Sequence, residues 1–226
     1  MALLYRAELR PSKLELVEGW APAQPWFEAG TGEGFELVGA FRFDDPEGEV
    51  GIETLLVRAG GGPVLQVPLT YRGSPLAGGS AAFIGTMQHS VLGERWVYDG
   101  AGDPAYLTAV ATAVLTGGGQ ADLYVDVDGE LVRREPTALV LGSGASGAPV
   151  PPLVPAEAVS VRHERRSTVV EAGGLRLVVL RVLATDGPAE HLWSAPATAG
   201  DPSPETLTGT WSGHAEPELL ALVLVP

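Results

Sequence analysis

Glycine and proline interrupt this chain at short intervals, and this limits what it can fold into. The 226 residues include 30 glycines and 19 prolines, and both residue types favour turns and end regular elements. Apolar residues make up 45% of the chain, which is enough to build a core. The pattern therefore predicts an α+β protein with many short strands, joined by turns, and few helices.

Two helices have clear start signals. Ser12 followed by Glu15 forms a capping box, and an apolar face follows it. Asp103 is a good N-cap, and Pro104 suits the first helical position. The apolar stripe of this second helix ends at Gly117, a typical helix stop.

Strands fill most of the rest. A meander is predicted over residues 35–43, 50–58 and 64–71, and Pro68 in its third strand predicts an edge or a bulge. The stretch 83–99 is expected to be strand, turn and strand around Gly93, and Asp128-Gly129 is a two-residue hairpin signal. Further strands are predicted over residues 137–141, 159–165, 168–171, 175–183, 206–211 and 219–225.

Charge and composition exclude several classes of function. The 28 acidic residues outnumber the 14 basic ones, so the net charge is -14. This balance repels nucleic acid and anionic membrane surfaces, and neither is expected as a partner. The chain has no cysteine, and its first residues lack the basic and apolar segments of a signal peptide. No apolar run approaches the ~18 residues of a membrane span. A cytoplasmic location is expected.

The stretch from Gly85 to Gly100 gathers the candidate site residues His89, Arg95, Tyr98 and Asp99. A hydrolytic triad is excluded, because His89 and Ser90 are adjacent and point to opposite faces of a strand. One interpretation is a polar cluster that holds the strand to the helix beginning at Asp103, since buried polar groups are usually structural. The other is a surface that binds a ligand or a partner, with the neighbouring aromatic side chains as a possible sugar platform.

Neither a metal nor a cofactor is expected. No two histidines lie three or four residues apart. The motif Gly142-Ser143-Gly144-Ala145-Ser146-Gly147 resembles a dinucleotide fingerprint, but the prolines that follow it forbid the required helix. Residues 142–158 are instead predicted to be a linker.

Several segments of the first half resemble the amino-terminal cap domain of actinobacterial maltokinases. They are Phe41-Arg42-Phe43-Asp44-Asp45-Pro46, Gly51-Ile52-Glu53-Thr54, Val67-Pro68-Leu69-Thr70-Tyr71-Arg72 and the stretch from Gly85 to Asp99. The resemblance covers residues 1 to about 120. It implies a cystatin-like arrangement, in which a curved antiparallel sheet carries helices and sits on a kinase of the aminoglycoside-phosphotransferase type.

The second half resembles the first hairpin of that kinase's nucleotide-binding lobe. The resemblance rests on Arg166-Ser167-Thr168-Val169-Val170 and the strand from Gly174 to Arg181. It implies that Ser167 and Thr168 lie in a turn facing the ATP phosphates, and that the phosphate-binding lysine is replaced by Leu180 or Arg181. The chain ends about where the hinge to the large lobe would come, so no catalytic lobe is expected.

The expected organisation is a cap-like domain over residues 1–141, a linker over 142–158 and a degenerate nucleotide-lobe-like segment over 159–226. The expected function is that of a non-catalytic accessory or regulatory protein, linked through a protein partner to α-glucan, maltose or amino-sugar metabolism. Three alternatives stay open: a module that binds a small sugar or nucleotide, half of a split sugar kinase, and an enzyme of another class that uses scattered carboxylates.

Overall fold

The structure is a computed structural model that describes residues 2–4, 7–127, 129–152, 154–183 and 203–225. Its helices are α1 (Lys13–Trp20) and α2 (Pro104–Thr116). Its strands are β1 (Ala2–Leu4), β2 (Leu9–Arg10), β3 (Phe35–Phe43), β4 (Gly51–Ala59), β5 (Val64–Arg72), β6 (Phe83–His89), β7 (Gly93–Asp99), β8 (Leu123–Val127), β9 (Glu130–Arg134), β10 (Ala138–Gly142), β11 (Ser160–His163), β12 (Ser167–Ala172), β13 (Leu175–Leu180), β14 (Val182–Leu183), β15 (Glu205–Trp211) and β16 (His214–Leu224). The predicted α+β fold, with curved antiparallel sheets and few helices, is confirmed.

Both helices begin as the sequence predicts. The Ser12 hydroxyl accepts from the Glu15 amide at 3.2 Å, and the Glu15 carboxylate accepts from the Ser12 amide at 2.7 Å. The Asp103 carboxylate accepts from the Ala105 amide at 2.9 Å. At the end of α2, Gly117 adopts the left-handed conformation (φ 69°), which glycine takes without strain.

The cap sheet has the strand order β2-β6-β7-β5-β4-β3, and β14 pairs with one end of β5. Helix α1 and the buried Trp26 cover one face of this sheet, where they pack against alternate apolar residues of β4 and β5. The other face packs against α2 and a second sheet. The cap sheet is therefore covered on both faces.

The second sheet has the order β10-β15-β16-β13-β12-β11. It is built mainly from the second half of the chain, but β10, which ends at Gly142, also belongs to it and pairs with β15. Within the predicted linker, the Gly144 and Ala145 amides donate to the last carbonyls of α2. The division into a cap-like domain, a linker and a lobe-like segment stays a prediction.

Pro68 does not lie on an edge strand. On one side β5 pairs with β4 along its length, and Pro68 is opposite Thr54. On the other side β5 pairs with β14 through Val64 and Leu65 and with β7 from Leu69 onward. Pro68 falls where the partner changes, a position that tolerates a residue without an N–H group.

The predicted strand over residues 175–183 is divided between the two sheets. β13 pairs within the second sheet, whereas β14 crosses to the cap sheet, and Arg181 lies at the crossing.

A third, three-stranded sheet has the order β1-β8-β9. Its hairpin is confirmed, although Asp128 itself lies outside the described residues. Among the helices that the structure describes, none is long and apolar enough to cross a membrane.

Candidate functional site

The four residues predicted in the β6–β7 stretch lie in two different environments. His89 and Arg95 line an open cavity, and Tyr98 and Asp99 do not. Tyr98 and Asp99 are buried, with 3% and 2% of their surfaces exposed. The Tyr98 hydroxyl accepts from the Leu76 amide at 2.9 Å. The stretch is therefore neither a single polar cluster nor a single binding surface.

The cavity lies beside the start of α1, between the β3–β4 turn and the β6–β7 hairpin. Its volume is about 610 Å³, within the usual range for small-molecule sites. The charged and aromatic residues that line it are Lys13, Arg42, Asp44, Asp45, Glu49, Tyr71, His89 and Arg95, with Phe43 among the apolar ones.

Beneath the cavity, the carboxylate of Glu53 holds two cations and a phenol. Lys13 Nζ lies 2.5 Å from Oε2, and Arg42 Nη2 lies 3.2 Å from Oε1. The Tyr71 hydroxyl donates to Oε2 at 3.0 Å. The Lys13 ammonium also lies 5.4 Å from the centroid of the Tyr71 ring. These contacts fix the positions of both cations at the cavity.

The protonation of this cluster follows from its partners. Burial alone would raise the pKa of Glu53, but the charges of Arg42 and Lys13 outweigh it and lower that pKa. Burial lowers the pKa of Lys13, and Glu53 opposes that shift. Burial and the Glu53 charge together raise the pKa of Tyr71 well above its ordinary value. Tyr71 therefore stays protonated and serves as a hydrogen-bond donor.

His89 and Arg95 form another part of the cavity lining. His89 Nδ1 accepts from the amides of Val91 and Leu92 at 3.2 and 3.1 Å, which assigns the proton of the neutral ring to Nε2. Burial lowers the pKa of His89, and the charge of Arg95 adds to this. Within the described residues, the Arg95 guanidinium has no hydrogen-bond or ion-pair partner.

Asp99 forms a closed cluster with Arg181 of the second half. Arg181 Nη2 donates to Asp99 Oδ1 at 2.8 Å and Oδ2 at 2.6 Å, and its Nε donates to Thr168 Oγ1 at 2.8 Å. The guanidinium carbon lies 4.9 Å from the centroid of the Trp26 ring. The Asp99 carboxylate also accepts from the Ala101 amide at 3.2 Å. Arg181 is fully buried.

The three positions compared with the nucleotide-binding lobe are all buried. Ser167 and Thr168 have 2% and 0% of their surfaces exposed. The Ser167 hydroxyl donates to Glu164 at 3.1 Å. Thr168 contacts Arg181, whose Nη1 has no hydrogen-bond partner among the described residues. Thr168 and Arg181 are thus joined to Asp99. The sequence did not predict this contact between the lobe-like segment and the β6–β7 stretch.

A second, partly buried ion pair ties the cap sheet to α2. Arg72 donates to both oxygens of Asp103 at 2.7 Å, and the Thr70 hydroxyl donates to the same carboxylate at 2.7 Å. Asp103 was predicted as the N-cap of α2, and that role is confirmed. Its ion pair with Arg72 was not foreseen.

Lys13, Arg42 and Glu53 were not predicted from the sequence as site residues. A signal was present, because Glu53 is the one carboxylate in strand β4, whose residues are mostly apolar. Buried carboxylates require cationic partners, and Arg42 lies opposite Glu53 in the register of β3 and β4.

The match to a known family covers the carboxylate of each of these clusters. Residues 20–103 match the model of the maltokinase N-terminal cap domain. No curated protein matches the chain. The matched range contains β3 to β7, and hence Glu53, His89, Arg95 and Asp99. The predicted resemblance to the maltokinase N-terminal cap domain is thereby confirmed over residues 20–103.

Proposed function

We propose that this chain is a non-catalytic accessory protein related to the maltokinase cap, which acts by binding a protein partner. The observation that carries the proposal is the burial of Arg181 against Asp99, Thr168 and Trp26. Arg181 is one of the two residues compared with the phosphate-binding lysine of the kinase lobe. In this packing its guanidinium is shielded from solvent.

The energetics support the same proposal. Moving Arg181 toward a phosphate would leave Asp99 buried without its cation, which costs about 3–5 kcal/mol. The whole stability of a typical domain is only about 5–15 kcal/mol. Nucleotide binding at Arg181 would therefore cost a large share of the folding free energy. The buried ion pair fits a protein in which this position holds the cap sheet to the second sheet.

The metabolic setting is inferred from the family match alone. A cap of maltokinase type suggests α-glucan, maltose or amino-sugar metabolism, and a sugar kinase of that setting is the partner we favour. The accessory role predicts that the chain binds such a kinase directly and alters its rate.

The catalytic part of the proposal is tested with ATP, Mg²⁺ and either maltose or glucosamine. The purified chain should form no sugar phosphate above the level of the Arg181→Met variant. Any sugar phosphorylation by the purified chain would overturn the proposal, whether or not it depends on Arg181. The accessory role is tested by calorimetry of the chain with a purified sugar kinase from the same host. Absence of binding to every such kinase would count against a kinase as the partner.

A second candidate function is a small-ligand module, and the open cavity favours it. His89 and Arg95, two of the four predicted binding residues, line this cavity of about 610 Å³. Maltose, glucosamine, trehalose and ATP are suitable first probes. A ligand that binds the folded chain raises its melting temperature by mass action. No shift at millimolar concentrations of these probes would argue against a sugar or nucleotide as the ligand.

A further inference from the structure

We infer that the cavity binds a small polar molecule through an oxyanion, a carboxylate or a phosphate, held by Arg95 together with Lys13 and Arg42. The inference rests on the second proposed function, a cavity that binds a small ligand, and specifies the chemistry of that ligand.

The first support is an excess of positive charge within the Glu53 cluster, where two cations share one carboxylate. Lys13 and Arg42 share one carboxylate, that of Glu53, so this group of three keeps one positive charge that Glu53 does not neutralise. Both cations line the cavity and keep 27% and 17% of their side-chain surfaces exposed. Because Glu53 already holds them in place, little conformational entropy is lost when a ligand binds them.

The second support is Arg95. It lines the same cavity, and no described residue pairs with its guanidinium. A planar guanidinium with free donors suits two-point binding of a carboxylate or phosphate. His89 lines the cavity as well.

The acidic residues of the cavity have a separate location. Asp44, Asp45 and Glu49 all lie in the turn between β3 and β4. The Asp45 carboxylate accepts from the amides of Glu47, Glu49 and Val50, so much of its charge is stabilised within the turn. Acidic side chains suit hydroxyl or ammonium donors on the rest of the ligand.

The net charge of the chain does not contradict this inference. A charge of -14 repels anions at long range, but at physiological salt the screening length is only about 8 Å. A bound anion therefore interacts mainly with the charges that line the cavity, and its contacts there would be with the cations Lys13, Arg42 and Arg95.

The experiment is an NMR titration of the ¹⁵N-labelled chain at constant ionic strength. Sodium phosphate and sodium acetate are compared with sodium chloride, and maltose is the neutral probe. The variants are Arg95→Gln, Arg95→Lys and the control Arg165→Gln. Arg165 is exposed in the bend between β11 and β12, away from the cavity lining. Dispersed spectra of each variant show that it is folded.

We expect saturable shifts in the amides of residues 44–51 and 88–95 with phosphate or acetate, and the tighter of the two identifies the ligand group. Arg95→Gln should weaken this binding at least about tenfold, because a charge-assisted hydrogen bond is lost. Arg95→Lys should retain part of it, and Arg165→Gln should bind like the wild type.

Equal binding by the wild type and Arg95→Gln, or shifts that do not saturate, would overturn the inference. If maltose shifts these amides and neither anion does, the oxyanion inference is overturned. The proposal that the cavity binds a small ligand is then retained. If none of the three probes shifts them, the oxyanion inference is overturned and the ligand module loses its support as well.

Discussion

Glu53 and Asp99 lie on the two strands that flank β5, and each is opposite Leu69 in the register of its sheet pair. Their surroundings nevertheless differ. Glu53 has two cations that reach the cavity surface, whereas Asp99 has one cation that is fully buried. The number and exposure of the cations decide what each carboxylate does. The Asp99 cluster is neutral and closed and joins two sheets, whereas the Glu53 cluster keeps positive charge available to a ligand.

The strongest test of this difference removes the buried cation. Arg181→Met should lower the free energy of unfolding by about 3–5 kcal/mol, because Asp99 is left buried without its partner. Denaturation in urea, followed by tryptophan fluorescence, measures the loss.

The double variant Asp99→Leu with Arg181→Met separates the ion pair from the packing around it. An apolar pair of similar volume often replaces a buried ion pair at little cost. The double variant should therefore be more stable than Arg181→Met alone. Equal stability of the two would mean that Asp99 and Arg181 are not coupled.

Removing the charge of Glu53 should cost less. Glu53→Gln is expected to lower the free energy of unfolding by about 1–3 kcal/mol, because Lys13 and Arg42 retain contact with water. The same denaturation experiment measures it, with the exposed Glu47→Gln as the control, which should change stability by less than about 0.5 kcal/mol. A loss as large as that of Arg181→Met would remove the distinction between the open and the closed cluster.

The smallest expected effect concerns pH. Burial lowers the pKa of His163, next to Thr168, and the charge of Arg181 adds to this. As pH falls below the ordinary histidine pKa of 6.5, the unfolded chain takes up a proton that the folded chain still excludes. The contribution of His163 to stability is therefore fully present above pH 6.5 and is lost progressively as pH falls through the lower pKa of the folded state.

His89 offers the matching measurement in the open cavity. Its pKa is also lowered, so its contribution to stability is likewise lost as pH falls. The free energies of unfolding of the wild type, His163→Gln and His89→Gln are measured between pH 7.5 and pH 5. The dependence of this free energy on pH should weaken more in His163→Gln than in His89→Gln, because the His163 ring contacts the closed cluster. The opposite order would contradict the contrast between the two regions.

Local signals predicted the helices well. The capping box at Ser12 and the pair Asp103 and Pro104 define helix starts by contacts within a few residues, and Gly117 defines a stop in the same way. Such contacts depend on neighbours along the chain. Sequence patterns therefore reveal them directly.

The candidate site was predicted only in part, because its contacts are distant in sequence. Asp99 and Arg181 were singled out separately, but their ion pair joins residues 82 positions apart. Lys13 and Glu53 are 40 positions apart, and α1 brings them together only when it packs on the cap sheet. Alternation identifies which face of a strand a side chain takes, but it does not reveal which distant element covers that face.

The crossing at Arg181 has a consequence for the order of folding. Val182 and Leu183 complete the pairing of Leu65 and Val64 in the cap sheet, yet the ribosome makes them long after the strands they join. Pairings so distant in sequence carry a high loop-closure entropy and form slowly. We therefore expect that, in the nascent cap, Val64 and Leu65 of β5 lack a strand partner on the side away from β4. The cap sheet would be completed only after the second half of the chain has emerged.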